Sequence, residues 1–472
     1  MPCHNYDQLD LGSLISRREL FRHTSSGITG IALGSLLLNE SSTAEMVRRS
    51  HYPGKARAVI QLFQHGGPSH MDLFDPKPTL NKHDGKPMPE SFKDLVQISQ
   101  HGGLMGTPFK FRPAGQCGVE YSEIIPHTAR HADDIAVIRS MYTEHNNHEQ
   151  ALWMMQTGRT VSGRPTIGAW VSYALGSENS NLPEYVVLRN DSQLPVDGMR
   201  NWSAGFLPPR YQGVHFRHSG TPVMHLNPSP GVSDPVQRLR LDLLQTLNAK
   251  HKESHPGIAS ELQARIASYE LAGRMQVSAT AAFDFSKETR ETHQLYGLDN
   301  EQTASYGTRL LLARRLVEHG VRFVQVMIRG QMWDTHQDNA NRTKQCCLET
   351  DQPTAALLQD LKRRGLFEST LVVWGGEFGR TPVSQDGNGR DHHKQGFSLW
   401  LAGGGIRGGQ AYGATDDLGY YAVENPVKVS DLHATILHQL GLHHRDLTYD
   451  SHGRNERLTD EYDARILTPL VS

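Results

Sequence analysis

Three short apolar runs in this chain each adjoin a cluster of carboxylate and imidazole side chains, and few folds accommodate that pattern. Arg322–Ile328 (RFVQVMI) leads into RGQMWDTHQDN, Leu371–Trp374 (LVVW) leads into GGEFGRTP, and GRDHHKQG immediately precedes Phe397–Ala402 (FSLWLA). Parallel strands buried on both faces read as such runs, and α/β sheets gather their ligands at the carboxyl ends of parallel strands. The pattern predicts that Asp334, His336, Asp338, Glu377, Asp391, His392 and His393 converge on one crevice.

The rest of the chain past Pro53 alternates strand and helix signals. Strands are predicted at Ala58–Phe63, Ile135–Ser140 and Tyr185–Leu188, besides the three runs above. Helices are predicted over Ser122–Asp133, from His148 to a glycine cap at Gly158, over Thr166–Leu175, Val236–Lys252, Ile258–Ala281, Thr303–His319, Pro353–Arg364 and Val429–Leu440. Between Arg189 and Pro235 the text is rich in Pro, Gly, Asn and Ser and has no period, which predicts a cap or insertion over 189–235. Strands that alternate with helices make a doubly wound α/β fold with a mostly parallel sheet flanked by helices.

With 472 residues the chain has ample core for one large domain or two ordinary ones. A formal net charge of -2 gives no electrostatic case for nucleic acid or an anionic membrane as partner. Histidine is abundant, at 26 residues; most of these suit a solvated surface, and a few at strand ends suffice for a metal site. The four cysteines, Cys3, Cys117, Cys346 and Cys347, have no CxxC spacing and make neither a zinc knuckle nor a disulfide framework.

Ser16–Arg22 (SRRELFR) carries paired arginines ahead of a weakly apolar stretch, Ser26–Leu38, too short to span a membrane. It resembles a twin-arginine export signal, with Leu20 and Phe21 in the apolar places and Arg22 in the basic one. Small residues at Ser42-Thr43-Ala44 then predict a signal peptide over 1–44 and a mature chain, 45–472, with no transmembrane anchor. Its implied partner is the twin-arginine export machinery and its destination the periplasm or the medium. Folded cargo that loads a cofactor before export suits a metal protein.

At the strand ends, WDTHQDN sets Asp334, His336 and Asp338 at alternate positions, so in extended backbone all three point the same way. A divalent ion takes that mixture of oxygen and nitrogen donors, with Zn, Ca and Mn all open. Glu377 follows two glycines, where the backbone can turn sharply toward a ligand. His392 and His393 are adjacent, so at most one of them faces an ion from a strand. Ser69, in GGPSHMD, is either a ligand or nucleophile in an anion-cradling turn or a helix cap. Arg380 either neutralises an anionic substrate or pairs with Glu377 or Asp391.

VVWGGEFGR resembles, without a gap, the metal-binding strand-turn of the alkaline phosphatase and sulfatase superfamily, with Glu377 on the metal-binding acid. GRDHHKQGFSLWLAGGGI resembles that superfamily's later metal histidine and the strand after it, so His392 or His393 falls on the histidine. WDTHQDN falls where the superfamily carries an Asp and a His. HEQALWMMQTGR resembles the helix after the sulfatase nucleophile, and VKVSDLHATILHQLGL the terminal helix. The match is closer still to the DUF1501 family of exported proteins from planctomycete-type bacteria, through HGGPSHMDLFDPKP, HNNHEQA, WDTH, GGEFGRTP and GRDHH in order. These resemblances imply an alkaline-phosphatase-like core and a divalent-metal hydrolase of sulfate or phosphate esters, small-molecule or polysaccharide.

This chain departs from the superfamily at several points. The nucleophile position falls on His148, beside Asn146 and Asn147, with no Cys, Ser or Thr. Phe378 stands where the superfamily has a metal-binding His or Asn, and Gln64 and His65 replace the acid pair after the first strand, with Asp72 and Asp75 in the following loop. His148 or His65 is then a general base or an anion ligand, and a histidine nucleophile is chemically possible. The alternative is a protein that kept the fold, lost the reaction and binds a glycan or envelope polymer.

Overall fold

The computed structural model describes residues 50–89, 102–190, 193–217, 232–254, 280–385, 387–460 and 462–472, with positions 266, 270, 271 and 275. The proposed export signal and most of the helix expected over Ile258–Ala281 lie outside the described residues. The chain divides into two compact units: Met1–Met46 with Pro228–Ile266, and Val47–Asn227 with Ala267–Ser472. In the first, the described element is a 21-residue amphipathic helix, Asp234–Ser254.

The second unit is built on a nine-stranded sheet. In chain order its strands are β1 (Ala58–Phe63), β2 (Ile135–Tyr142), β3 (Tyr185–Leu188), β4 (Val214–Phe216), β5 (Phe323–Met327) and β6 (Thr370–Gly375). After β6 comes an antiparallel hairpin outside the sheet, β7 (Gly379–Gln385) and β8 (Gly389–His393), and then β9 (Phe397–Ala402), β10 (Gln410–Tyr412) and β11 (Val427–Lys428). The sheet runs β10-β2-β9-β6-β1-β5-β3-β4, with β11 also paired to β2. Every pairing is parallel except those of β9, which runs antiparallel to both β2 and β6.

Alternation along β1 shows why the runs are almost wholly apolar. Ile60 and Leu62 enter one core, which also holds Leu310, Leu311, Leu357 and Leu358, while Val59 and Phe63 enter the other with Leu152, Trp170, Leu432 and Leu437. A strand buried on both faces has no solvent side on which to place a polar residue. The first face is covered by α1 (Glu301–Glu318) and α2 (Asn339–Arg363), the second by helices His148–Thr157, Ile167–Leu175 and Val429–Gln439. The expected doubly wound, mostly parallel α/β fold is what forms.

Three expectations need correction. Ser122–Asp133 is not one helix: β-strand Val119–Ser122 pairs with Phe111–Ala114, and only a turn at Pro126–Ala129 and a 3-10 turn at Ala132–Asp134 are helical. α2 begins at Asn339, not Pro353, which sits inside the helix. A proline deletes one intrahelical hydrogen bond, and here the buried Cys346, Cys347, Leu357 and Leu358 carry the helix through it. Within 189–235, Val214–Phe216 returns to the main sheet as its edge strand.

Three imidazoles, of His70, His393 and His433, are buried against backbone carbonyls, and burial pushes each down to about 4. Above pH 6.5 these rings are neutral in both the folded and the unfolded chain, and their contribution is intact. As pH falls from 6.5 toward 4 only the unfolded chain takes up protons, so stability drops, by on the order of 3 kcal/mol per ring. The urea midpoint is expected to fall steeply over that interval, and less steeply in His433→Gln. A midpoint unchanged between pH 7 and pH 5 would contradict this.

Candidate metal centre

The antiparallel direction of β9 assembles the site. Phe397 at its start pairs with Met141 at the end of β2, so the segment before β9 lies at the edge where the parallel strands finish. GRDHH therefore meets the loops after β1, β2, β5 and β6. From these come His65 and Gly66 after β1, His148 after β2, Asp334 and His336 after β5, Glu377 after β6, and Asp391 and His392 from β8.

Asp334 Oδ1 is the centre. His336 Nε2 lies 3.0 Å from it, His392 Nε2 3.1 Å, His148 Nε2 3.5 Å and Arg380 Nη2 2.6 Å. Each imidazole is held at its other nitrogen: His148 Nδ1 lies 2.6 Å from Glu377 Oε1, His392 Nδ1 2.9 Å from the Asn146 carbonyl, and His336 Nδ1 2.5 Å from Gln385 Oε1. These partners accept, so each Nδ1 carries the hydrogen and donates it, which leaves the Nε2 lone pairs converging. His336 Nε2 and His392 Nε2 are 2.9 Å apart, and two lone pairs beside a carboxylate oxygen repel unless a proton or a cation sits among them.

Behind Asp334, Glu377 is fully buried and accepts from the Gly66 backbone N–H at 3.0 Å and 3.3 Å. His65, also buried, donates Nδ1–H to the Gly330 carbonyl at 3.1 Å, and its Nε2 has no hydrogen-bond partner, 3.7 Å from Glu377 Oε1. His148 Nε2 is likewise buried without one. The Phe378 ring packs against the His148 and His392 rings, at centroid distances of 4.9 and 4.7 Å, and walls one side. Exposure rises outward from the buried Glu377, through 11 % for the His148 side chain, to 32 % for His336, so the mouth is at His336.

The charges reinforce one another. Burial opposes ionisation of Asp334, but the imidazoles of His148, His336 and His392 and the Arg380 charge around it hold it far below the usual carboxylate range. Burial would lower His148, yet Asp334 and Glu377 raise it to about 9. His65 and His392 are lowered by burial, and Glu377, against burial, is lowered by His65 and His148. Without a metal, protons compensate the carboxylates; a cation would displace them. Three candidate ligand groups arise among the described residues: His65, His148 and Glu377; His148, Asp334 and His392; His336, Asp391 and His392.

Other expected site residues lie elsewhere. His393 faces away from its neighbour, its Nε2 on the Tyr420 carbonyl, because successive strand residues alternate sides. Asp338, with φ 50°, precedes α2 and binds Asn341. Asp72 pairs with Arg390 at 3.0 Å and accepts from Asn339, and buried Ser69 lies beside it. Asn147 caps the helix from His148 by accepting from the Glu149 backbone N–H. Arg380 is fully buried, donating to the Gly66, Gly67 and Arg390 carbonyls and to Asp334, so its guanidinium is not offered to a substrate. Sequence reasoning missed Gln385 and the Asn146 and Gly330 carbonyls. The one available signal was the Asp386-Gly387 dipeptide, a hairpin turn mark that would have brought Gln385 opposite GRDHH.

Gly66, at φ 114°, is where a Cβ would come within 2.6 Å of the Asp334 backbone nitrogen. Glu377→Gln keeps the shape but removes the charge that His148 donates to. Metal affinity is expected to fall roughly 10- to 100-fold with the fold intact, measured by chelator competition. An unchanged affinity would exclude the anchoring role.

The family model described as "Protein of unknown function (DUF1501)" matches residues 56–471. No curated protein matches the chain in sequence. Among solved structures it is similar to Ps i-CgsB, at 11% identity and a TM-score of 0.37 over 83% of this chain and 72% of that one. It is also similar to PsFucS1 sulfatase from Pseudoalteromonas sp., at 13% identity and 0.35 over 82% and 68%. A TAB5 alkaline phosphatase mutant with Mg bound resembles it at 11% identity and 0.35 over 82% and 99%. At such scores the likeness transfers no function.

Proposed function

The chain belongs to the DUF1501 family, and from that premise we propose that it is an exported, metal-dependent hydrolase of sulfate or phosphate esters. The observation that carries the metal is the set of three imidazoles anchored at Nδ1 with their Nε2 atoms gathered on Asp334 Oδ1. That is the arrangement of ligands oriented by outer partners. His148, His336, His392 and Asp334 would hold the ion, and an imidazole-rich set suits zinc or another borderline cation better than calcium. When bound, a divalent cation supplies Lewis acidity toward an ester oxygen and acidifies water.

The chain's own groups do the rest. Arg380 fixes Asp334, Phe378 keeps water from one flank, and the His336 side admits substrate. The unpartnered Nε2 of His65 is a proton acceptor close to the cluster, suited to a general base. Among the described residues, the converging side chains include no hydroxyl or thiol, so in this reading the attacking group is water. The ester class comes from the superfamily resemblance of the strand-end motifs, and the export and periplasmic location come from the twin-arginine sequence. No described helix is long and apolar enough to cross a membrane.

Metal analysis by plasma mass spectrometry, with hydrolysis of 4-nitrophenyl sulfate and 4-nitrophenyl phosphate, tests the proposal. Stoichiometric divalent metal and turnover lost on chelation are expected. A protein that neither holds nor takes up divalent metal would overturn it; metal without turnover of either ester class would favour the polymer-binding reading.

A further inference from the structure

We infer that the cluster takes one divalent cation and not a pair, because Arg380 already supplies the second positive charge. This rests on the metal reading above. The carboxylates of Asp334, Glu377 and Asp391 face four imidazoles and one guanidinium, whose Nη2 is 2.6 Å from Asp334 Oδ1. With neutral imidazoles, three negative charges and one positive leave two to be balanced, which one divalent ion does. Arg380 cannot withdraw in favour of a second ion. It is fully buried, and the carbonyls of Gly66, Gly67 and Arg390 claim its N–H groups.

The supply of lone pairs agrees with the charge. His148, His336 and His392 each spend Nδ1 on an acceptor and have one free nitrogen, all three on Asp334. A second ion would be left with His65 Nε2, Glu377 and Asp391. Asp391 Oδ1 accepts from the His392 backbone N–H and faces His336 only at its Nδ1, 3.7 Å away, which is spent on Gln385. Glu377 already accepts from the Gly66 N–H and from His148 Nδ1–H, and an imidazole nitrogen that carries a proton binds no metal. A further buried acid, Asp72, is taken by the equally buried guanidinium of Arg390. The hairpin from Gly379 to His393 thus brings two fixed cations, each seated on a carboxylate that an additional metal would need.

Chelator-stripped full-length protein, titrated with Zn(II) and freed of excess by gel filtration, is expected to retain one equivalent per chain. Loaded with Mn(II), it should give the electron paramagnetic resonance signal of an isolated ion, not of an exchange-coupled pair. His65→Ala is expected to keep the single equivalent. Two equivalents, a coupled Mn(II) pair, or loss of an equivalent on His65→Ala would overturn the inference and leave the metal reading standing. No retained metal would remove that reading itself.

Discussion

Asp334→Asn is expected to weaken metal binding by on the order of 100-fold or more, the largest loss from any single substitution at the cluster. All three Nε2 atoms and Arg380 meet at Asp334 Oδ1, so no neighbouring carboxylate can assume its place. Asparagine preserves the volume and an acceptor for Arg380 but withdraws the negative charge, leaving three imidazoles and a guanidinium around a neutral amide. With Glu377 and Asp391 then set against Arg380, the site keeps one uncompensated negative charge where it had two, and the carboxylate nearest the imidazoles is gone, so the attraction for a cation is much weaker. Asp338→Asn, four residues on, is the control. That residue binds Asn341 near the start of α2 and should leave affinity unchanged. The same contrast separates His392→Ala, which should lose metal, from His393→Ala, which should lose stability. Competition against a chelator of known affinity reads both pairs, and equal behaviour of Asp334→Asn and wild type would remove Asp334 from the site.

These contrasts also mark where the sequence stopped being legible. β1, β5 and β6 could be read because strands buried on both faces are almost continuously apolar, with Gln61 and Gln325 the only interruptions in β1 and β5, and the acids after β5 and β6 followed from the carboxyl-end rule. The run FSLWLA could be read as a strand but not as an antiparallel one, since a short, mostly apolar run carries no direction. Only that reversal brings GRDHH to the crevice. Which of two adjacent histidines faces inward depends on a register shift between Arg390 and His392, where the ladder skips Asp391. The anchors at Gly330 and Asn146 are backbone carbonyls, which every residue possesses, so composition could not reveal them. Arg380 was ambiguous for a related reason: three of its four partners are backbone carbonyls, two of them from a loop 313 and 314 residues away in sequence.

Asp72→Ala is expected to destabilise the fold by about 3–5 kcal/mol, because it leaves the Arg390 guanidinium buried and uncompensated. Both side chains are fully buried, and Arg390 also donates to the Thr381 and Gly106 carbonyls while Asn339 donates to Asp72. Burial opposes the Asp72 charge, but Arg390 and neighbouring side-chain hydrogen bonds pull its carboxyl below the usual range. A depressed carboxylate contributes stability that is complete above its unfolded value near 3.9 and is lost as pH falls through the lower folded value. The deficit of Asp72→Ala relative to wild type should therefore be constant from pH 5 to 8 and shrink only in stronger acid. In urea unfolding, the double variant Asp72→Leu with Arg390→Met should cost less than the two single changes summed, since removing both charges strands neither. Additive costs would show that the pair acts through separate contacts. Arg390 also belongs to the strand that presents His392. Asp72→Asn, which leaves Arg390 a weaker partner, should loosen that strand and lower metal affinity without removing a ligand, whereas affinity unchanged alongside lost stability would confine Asp72 to the fold.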